Sequence, residues 1–177
     1  MNASAFLAQS REYLSDHYLP KIRAAVEPLS DSDLWWRPNE SSNSIGNLLL
    51  HLAGNIRQWL VSGVGQTPGQ RDRAREFAER EPLPRELLLT TLGAAVREAD
   101  AVLARLDPAE LEAPRAIQGR DVTVLEAVYH VVEHLAMHAG QIFYIAKLRS
   151  GKDLGFYRME AGIPRADWPG HPTNGSA

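Results

Sequence analysis

One long helical pattern, over residues 123–149, constrains the fold of this chain more than any other feature. Thr123 and Glu126 stand at the spacing of a capping box, and Ser150 and Gly151 supply a stop signal. Apolar residues recur between these ends at every third or fourth position, namely Leu125, Val128, Val132, Leu135, Ala139, Ile142 and Ala146. A helix of this length must bury one face against other elements. The pattern therefore predicts a helical domain.

Three further segments carry the same periodicity. They span residues 4–29, with a kink expected at Pro20, residues 44–62, and residues 84–106. Together with residues 123–149 they give four apolar helices, each of which needs a partner for its apolar face. The sequence therefore predicts a four-helix bundle.

The segments between the predicted helices read as connections. Residues 30–43 read as a loop with an aromatic plug, and residues 66–81 as a polar, arginine-rich loop. Residues 109–122 leave room for a crossover connection, and no strand pattern competes. We expect an all-α domain over residues 1–151, followed by a mostly coil tail over residues 152–177.

Composition narrows the class of protein. The 177 residues suit one domain, and a net charge of -3 disfavours a nucleic-acid partner. Neither a signal peptide nor a membrane span is evident, so we expect a cytoplasmic protein with no membrane partner. Because the chain has no cysteine, metal chemistry is left to histidine, carboxylate and water.

Three histidines stand four residues apart within the longest predicted helix. They are His130, His134 and His138. Two imidazoles at this spacing lie on neighbouring turns and can close on one cation. On a helical wheel, His138 lies about 90° from the centre of the apolar stripe, His134 about 130° and His130 about 170°. The wheel favours His134 and His138 as the pair that enters the bundle. It predicts that His130 faces most directly away from the core and leaves it as a flanking residue that could support the ligands.

A third ligand is expected from a facing helix, since metal sites in bundles are built across helices. His51 lies among leucines in the middle of the second predicted helix, whereas His17 and His171 lie elsewhere. The alternative for His51 alone is a core histidine with a satisfied hydrogen bond. The whole set of four histidines, in a chain that has no cysteine as a rival ligand, favours a metal site.

Several polar residues near these histidines are candidates to orient the site. Gln141 follows His138 by one turn, Asn47 precedes His51 by one turn, and Glu133 is the carboxylate closest in sequence to the histidines. A polar position within the bundle for Gln141, and a solvated helix face for Glu133, are the alternatives.

The arginine-rich run at residues 71–75 allows two interpretations. Its arginines could clamp the carboxylate of an anionic substrate. Runs of this kind are more often surface ion pairs. The sequence leaves the role of the run open.

A short metallopeptidase motif competes with the bundle site. His130, Glu133 and His134 match His-x-x-Glu-His, in which two histidines bind zinc and the glutamate acts as general base. Such sites also need an acidic ligand on a distant downstream helix. Only the remainder of the predicted helix and a coil tail follow His134, so the motif is the weaker interpretation.

Three segments carry a family resemblance: residues 44–55 (SIGNLLLHLAGN), residues 73–77 (RAREF) and residues 134–142 (HLAMHAGQI). They resemble the DinB-like superfamily, most closely its uncharacterised DUF1572 branch, over roughly residues 6–157. The resemblance implies a four-helix bundle with a crossover connection that is often a homodimer. It also implies a divalent metal held by three histidines, here His51, His134 and His138, with His130 outside the ligand set. Ala139 stands where the superfamily often has arginine.

The resemblance also sets the expected chemistry. Superfamily members with assigned activities include metal-dependent transferases that use bacillithiol or mycothiol and a thiol-dependent isomerase. We expect Zn, Ni or Fe at an open three-histidine site that activates water or a low-molecular-weight thiol toward a small-molecule substrate. Any thiolate must arrive with a substrate, because the chain has no cysteine. The alternatives are a non-catalytic metal-binding or dimeric stress-response module, and a bundle whose histidines only face the core.

Overall fold

Helices make up most of this computed structural model, which describes residues 2–169. The α-helices are α1 (Ala3–Glu12), α2 (Leu19–Val26), α3 (Asp31–Leu34), α4 (Ile45–Ile56), α5 (Arg73–Ala78), α6 (Arg85–Leu103) and α7 (Val124–Ser150). A π-helical segment, Tyr13–Tyr18, joins α1 to α2, and a second one, Arg57–Val64, prolongs α4. A short 3-10 helix spans Pro108–Glu112. The long helical stretches coincide with the four predicted from periodicity, and the all-α class is confirmed.

Two small antiparallel hairpins were not expected from the sequence. Strands β1 (Pro114–Ile117) and β2 (Arg120–Thr123) form one, and β3 (Tyr157–Glu160) and β4 (Ile163–Ala166) form the other. The prediction of a sequence free of strands is therefore wrong for these segments. Four residues are too few to show a clear alternation of apolar and polar positions. The second hairpin lies in the segment expected to be mostly coil.

Helix α5 is a further departure from the sequence prediction. It lies within residues 66–81, which were expected to be a loop because their side chains are polar and rich in arginine. Asp72 caps its first turn by accepting a hydrogen bond from the Arg75 amide. The helix has only six residues, too few for a periodic apolar face to be visible.

Local signals explain where the two site-bearing helices begin and end. The Ser44 side chain caps α4 in a reciprocal capping box with Asn47, and Thr123 caps α7 in the same way with Glu126. Gly151 ends α7 in the left-handed region, with φ of 65°, where glycine lacks the Cβ penalty. The bounds of α7 agree with the prediction to within one residue.

Helix α4 is the central element of the molecule. It packs against α5, α6 and α7, so nearly all of its residues are buried. The core contains apolar side chains from every long helix, including Leu14, Ile22, Leu52, Ile56, Leu60, Leu92 and Leu135. No helix within residues 2–169 has the length and apolar composition that a membrane crossing requires.

Candidate metal centre

Three histidines converge between α4 and α7. His51 Nε2 lies 3.1 Å from His134 Nε2, and one nitrogen from each of His51, His134 and His138 falls within 4.8 Å of the others. Two nitrogen ligands that each bind one cation at about 2.0–2.1 Å can lie 3.1 Å apart, as the Nε2 atoms of His51 and His134 do. The donor set, three imidazoles from two helices, therefore fits a divalent metal.

Burial favours the neutral form of two of these imidazoles, His134 and His138. The exposed fraction is 3% for His51 and 9% for His138. Burial, aided by the nearby charges of His138 and His51, lowers the pKa of His134 to about 3. Burial also lowers the pKa of His138, although a hydrogen bond with Gln141 opposes the shift. Neutral imidazole is the form that binds a metal, so His134 and His138 can bind one without first losing a proton.

A carboxylate from α5 orients His51. Glu76 Oε2 lies 3.0 Å from His51 Nδ1, and Arg71 Nη2 lies 3.0 Å from the same nitrogen. In the tautomer with the proton on Nδ1, the carboxylate accepts that proton and the Nε2 lone pair faces His134. A carboxylate behind a histidine ligand fixes its tautomer and its orientation. Glu76 thus acts on the candidate metal position through His51.

Arg71 holds Glu76 in its ionised form. Its guanidinium binds the carboxylate through two hydrogen bonds of 2.7 Å, and the side chains are 7% exposed for Arg71 and 11% for Glu76. Burial alone would raise the pKa of Glu76. The hydrogen bonds from Arg71 and His51 outweigh burial, so the pKa lies below its usual value.

Two residues of α4 make room for Glu76 and hold the helix that carries it. A Cβ atom at Gly54 would collide with Glu76 Oε1, so glycine permits the close approach of the carboxylate. The Asn47 amide donates to the carbonyl oxygens of Glu76 and Glu79, at 2.9 and 3.1 Å. Asn47 therefore anchors the end of α5 and acts on His51 only through Glu76.

The fold agrees with comparisons to known proteins. Residues 19–142 match a family model described as the DinB superfamily. The chain belongs to the DinB superfamily. The structure of a conserved protein from Enterococcus faecalis is similar, with a TM-score of 0.68 and 18% identity, over 82% of this chain and 97% of that one. The structure of a DinB-like protein from Bacillus cereus ATCC 10987 is also similar, with a TM-score of 0.58 and 16% identity, over 84% of this chain and 93% of that one. No curated protein matches the chain significantly.

Membership of the DinB superfamily leaves the finer branch open. The family model and the two structures do not distinguish the DUF1572 branch from others, so that assignment stays a prediction. The structures are too distant in sequence to show more than the shared fold. Family membership and the histidine cluster together support a possible metal site in this DinB-superfamily chain.

His130 lies beside the cluster rather than within it. It is half-buried, its ring packs 4.2 Å from that of Trp59, and its Nε2 lies 3.3 Å from the Asn55 amide nitrogen. The prediction that His130 faces away from the bundle is wrong. The buried face of α7 is rotated toward the histidines relative to the predicted stripe, since Val131 is buried while Val132 is only half-buried. The reason is that α4 and its π-helical extension pack on that side of α7.

The other predicted candidates have distinct surroundings. Gln141 Oε1 lies 2.8 Å from His138 Nδ1, where it can accept the ring proton. Glu133 is exposed on α7, so the carboxylate at the cluster is Glu76 instead. The His-x-x-Glu-His motif requires His130 and His134 to share a metal. The cluster instead groups His134 with His51 and His138.

The arginine-rich run divides between two environments. Arg71 is buried against Glu76 and does not face solvent as a substrate clamp would, whereas Arg73 and Arg75 are exposed. Sequence reasoning missed the pairing of Arg71 and Glu76 with His51. One signal was present: the RAREF segment, residues 73–77, stands among the segments that resemble the superfamily.

Proposed function

We propose that this DinB-superfamily protein is a divalent-metal-dependent enzyme that activates water or a low-molecular-weight thiol toward a small-molecule substrate. The observation that carries the proposal is the convergence of His51, His134 and His138, with the Glu76 carboxylate behind His51. Structural histidines of a core need no such convergence of ring nitrogens. We also propose that the protein works in the cytoplasm.

The ligands of the metal would be His51, His134 and His138. Three neutral imidazoles suit Zn, Ni or Fe and leave at least one coordination position for water or substrate. When bound, the metal would lower the pKa of a coordinated water or thiol. Gln141 is placed to orient His138 in the way that Glu76 orients His51. These contacts set the tautomers of the two ligands from outside the cluster.

The thiol in this proposal comes from outside the chain. The protein has no cysteine, so a thiolate at the metal would belong to a cosubstrate. The resemblance to superfamily members that use bacillithiol or mycothiol supports this class of cosubstrate. Water activation is the corresponding hydrolytic route.

Metal analysis of protein purified without an affinity tag tests the proposal first. We expect one divalent metal per chain and a melting temperature that falls on chelation. Addition of a low-molecular-weight thiol to the cobalt-substituted protein is expected to change its visible spectrum, whereas a matched alcohol is not. Absence of stoichiometric metal, together with no stabilisation by Zn, Ni or Fe, would refute the proposal.

A second candidate is a non-catalytic, metal-binding dimeric module. Exposed apolar side chains form one stripe on α7, namely Tyr129, Met137, Tyr144 and Leu148. Gly140 lies within the stripe with open space around its Cα, so that a second helix could approach closely. These features support a homodimer formed through α7. Sedimentation of wild type and of Tyr144→Glu tests it, with a dimer expected for the first and a monomer for the second.

A metal-loaded dimer without reactivity would favour the module over the enzyme. The deciding measurement is thiol or water exchange at the metal. A coordination sphere that admits neither probe is expected only for the non-catalytic module.

A further inference from the structure

A cavity of about 710 Å³ lies beside the Arg71–Glu76 pair. None of His51, His134 and His138 lines it, so it is a separate space from the histidine cluster. Its walls come from α4 and its π-helical extension, from the connection that contains α5, and from the β1–β2 hairpin. The volume lies in the range of sites that hold small organic molecules.

Apolar side chains form much of the cavity wall. They include Leu50, Ala53, Val61, Leu83 and Ile117. Ile117 is buried at the end of β1, so the unexpected hairpin closes this side of the cavity. Such a wall favours a ligand with an apolar body.

Two glutamines supply the polar end of the cavity. Gln58 Oε1 accepts hydrogen bonds from Arg71 Nη1, at 2.8 Å, and from Gln118 Nε2. Within residues 2–169, the Gln58 amide group and the Gln118 side-chain oxygen have no further partner. The pair therefore presents one donor group and one acceptor at the same place. A carboxamide carries the complementary acceptor and donor.

The backbone conformation of Gln118 follows from its place in the turn between β1 and β2. Its φ is 54°, in the left-handed region, and Gly119 follows with φ of 72°. Glycine is the usual residue in this conformation, while glutamine adopts it at a cost. A two-residue hairpin turn of type I′ requires positive φ at both central residues, so the turn between β1 and β2 accounts for this conformation. The turn carries the exposed Gln118 side chain to Gln58.

Charge along the wall gives no advantage to an anionic ligand. Arg57 pairs with Glu98 at 2.8 Å, and Arg71 pairs with Glu76. The remaining charged residues of the wall are Arg75, Asp72 and Glu79. One cation against two anions leaves no positive excess to hold a carboxylate or phosphate. The balance thus disfavours an anion, and the apolar wall favours a neutral ligand over a charged one.

We propose that the cavity binds a neutral small molecule with an apolar body and a carboxamide end, which the Gln58–Gln118 pair recognises. Arg71 and Glu76 both line the cavity, and Arg71 contacts Gln58 and Glu76, so the bound ligand lies beside the pair that supports His51. The proposal does not require a metal, because every group that contacts the ligand belongs to the protein.

Calorimetric titration with three matched probes tests this specificity. The probes are 2-naphthamide, 2-naphthoate and naphthalene, which share one apolar body and differ in the polar end. We expect 2-naphthamide to bind with 1:1 stoichiometry and about five- to tenfold more tightly than the other two, since it alone makes the neutral hydrogen bonds. Tighter binding of 2-naphthoate, or no saturable binding of 2-naphthamide up to about 1 mM, would overturn the proposal.

Variants locate the binding in the cavity. Gln58→Leu should remove the preference for 2-naphthamide, while Gln9→Leu, on exposed α1, should keep it. Val61→Trp should abolish binding of all three probes by filling the cavity, and Leu87→Trp, on the exposed face of α6, should not. Unchanged binding in Val61→Trp would place the probes elsewhere and refute the assignment. Titration in the presence of a chelator separates this result from any failure of the metal proposal.

Discussion

Two regions of the molecule place a histidine in a polar cluster, and they differ in where the cationic side chain lies. At the candidate metal centre, His51 Nε2 faces His134 Nε2 at 3.1 Å, with a carboxylate behind it. At the second cluster, the ammonium of Lys21 lies 3.0 Å from His17 Nε2 and 3.6 Å from the centre of the Trp168 ring. Lys21 is only 3% exposed.

The difference shows why one cluster suits a metal and the other suits a structural role. The Lys21 cluster contains its own cation, which aromatic faces and the Tyr157 hydroxyl surround. It ties the segment after α7 to the first helices, and Trp168 adds a hydrogen bond to the Asp16 carbonyl. In the histidine cluster the cation that contacts His51 is Arg71, whose Nη2 lies 3.0 Å from His51 Nδ1, whereas the Nε2 atom of the same ring faces His134. The arginine therefore lies behind the ligand ring and leaves Nε2 for a metal.

The largest expected effect separates the clusters by metal binding. His134→Ala removes one of three convergent ligands, so we expect metal affinity to fall by more than about a thousandfold, beyond the loss typical of residues that only support ligands. Competition with a chelator measures the affinity. His17→Ala is the matched control and is expected to bind metal normally. Retention of tight binding by His134→Ala would show that the cluster is not the metal site.

The next largest effect is on stability alone. Trp168→Ala removes the ring against Lys21, and we expect the free energy of unfolding to fall by about 3 kcal/mol. Denaturation in urea of the metal-free protein measures the loss. Trp168→Phe keeps a ring over the ammonium and should lose clearly less. A change in metal affinity in Trp168→Ala would contradict the separation of the two clusters.

Sequence analysis could reach the histidine cluster because the information is local. Helical periodicity places His134 and His138 one turn apart, and apolar neighbours place His51 inside a helix. The capping pairs define where both helices begin. The rotation of the buried face of α7 could not be read in this way, since it depends on which helix packs against it.

The residues that sequence analysis missed act across long separations. Glu76 lies 25 residues from His51 along the chain, and Tyr157 lies 136 residues from Lys21. Periodicity reports which side of a helix is apolar, whereas it carries no information on which polar connection covers that helix. The pairing of Arg71 with Glu76 therefore required the structure, and so did the two hairpins.

A smaller effect tests the support that the metal centre receives from α5. Glu76→Gln keeps the shape of the side chain but removes the carboxylate charge, and we expect metal affinity to fall about 10- to 100-fold. Gly54→Ala should act in the same direction without touching a charge, because its Cβ displaces Glu76. Chelator competition measures both variants.

The control for Glu76→Gln and Gly54→Ala is Gly140→Ala, on α7, where a Cβ meets no atom within 4 Å. It should leave metal affinity unchanged. Normal affinity in Gly54→Ala, in a variant that folds normally, would show that the approach of Glu76 to His51 is not needed for binding.

The smallest effect, over the measured window from pH 7 to 5, is the pH dependence of the stability of the metal-free protein. The pKa of His134 is lowered by burial to about 3, against about 6.5 for an unfolded histidine. The unfolded state therefore binds the extra proton as pH falls below about 6.5, and the folded state loses stability between there and about 3, by up to about 1.4 kcal/mol per pH unit for this group. Urea unfolding from pH 7 to 5 measures the slope. His134→Gln, which cannot titrate, should show a shallower slope, and an equal slope in both proteins would show that His134 titrates normally in the fold.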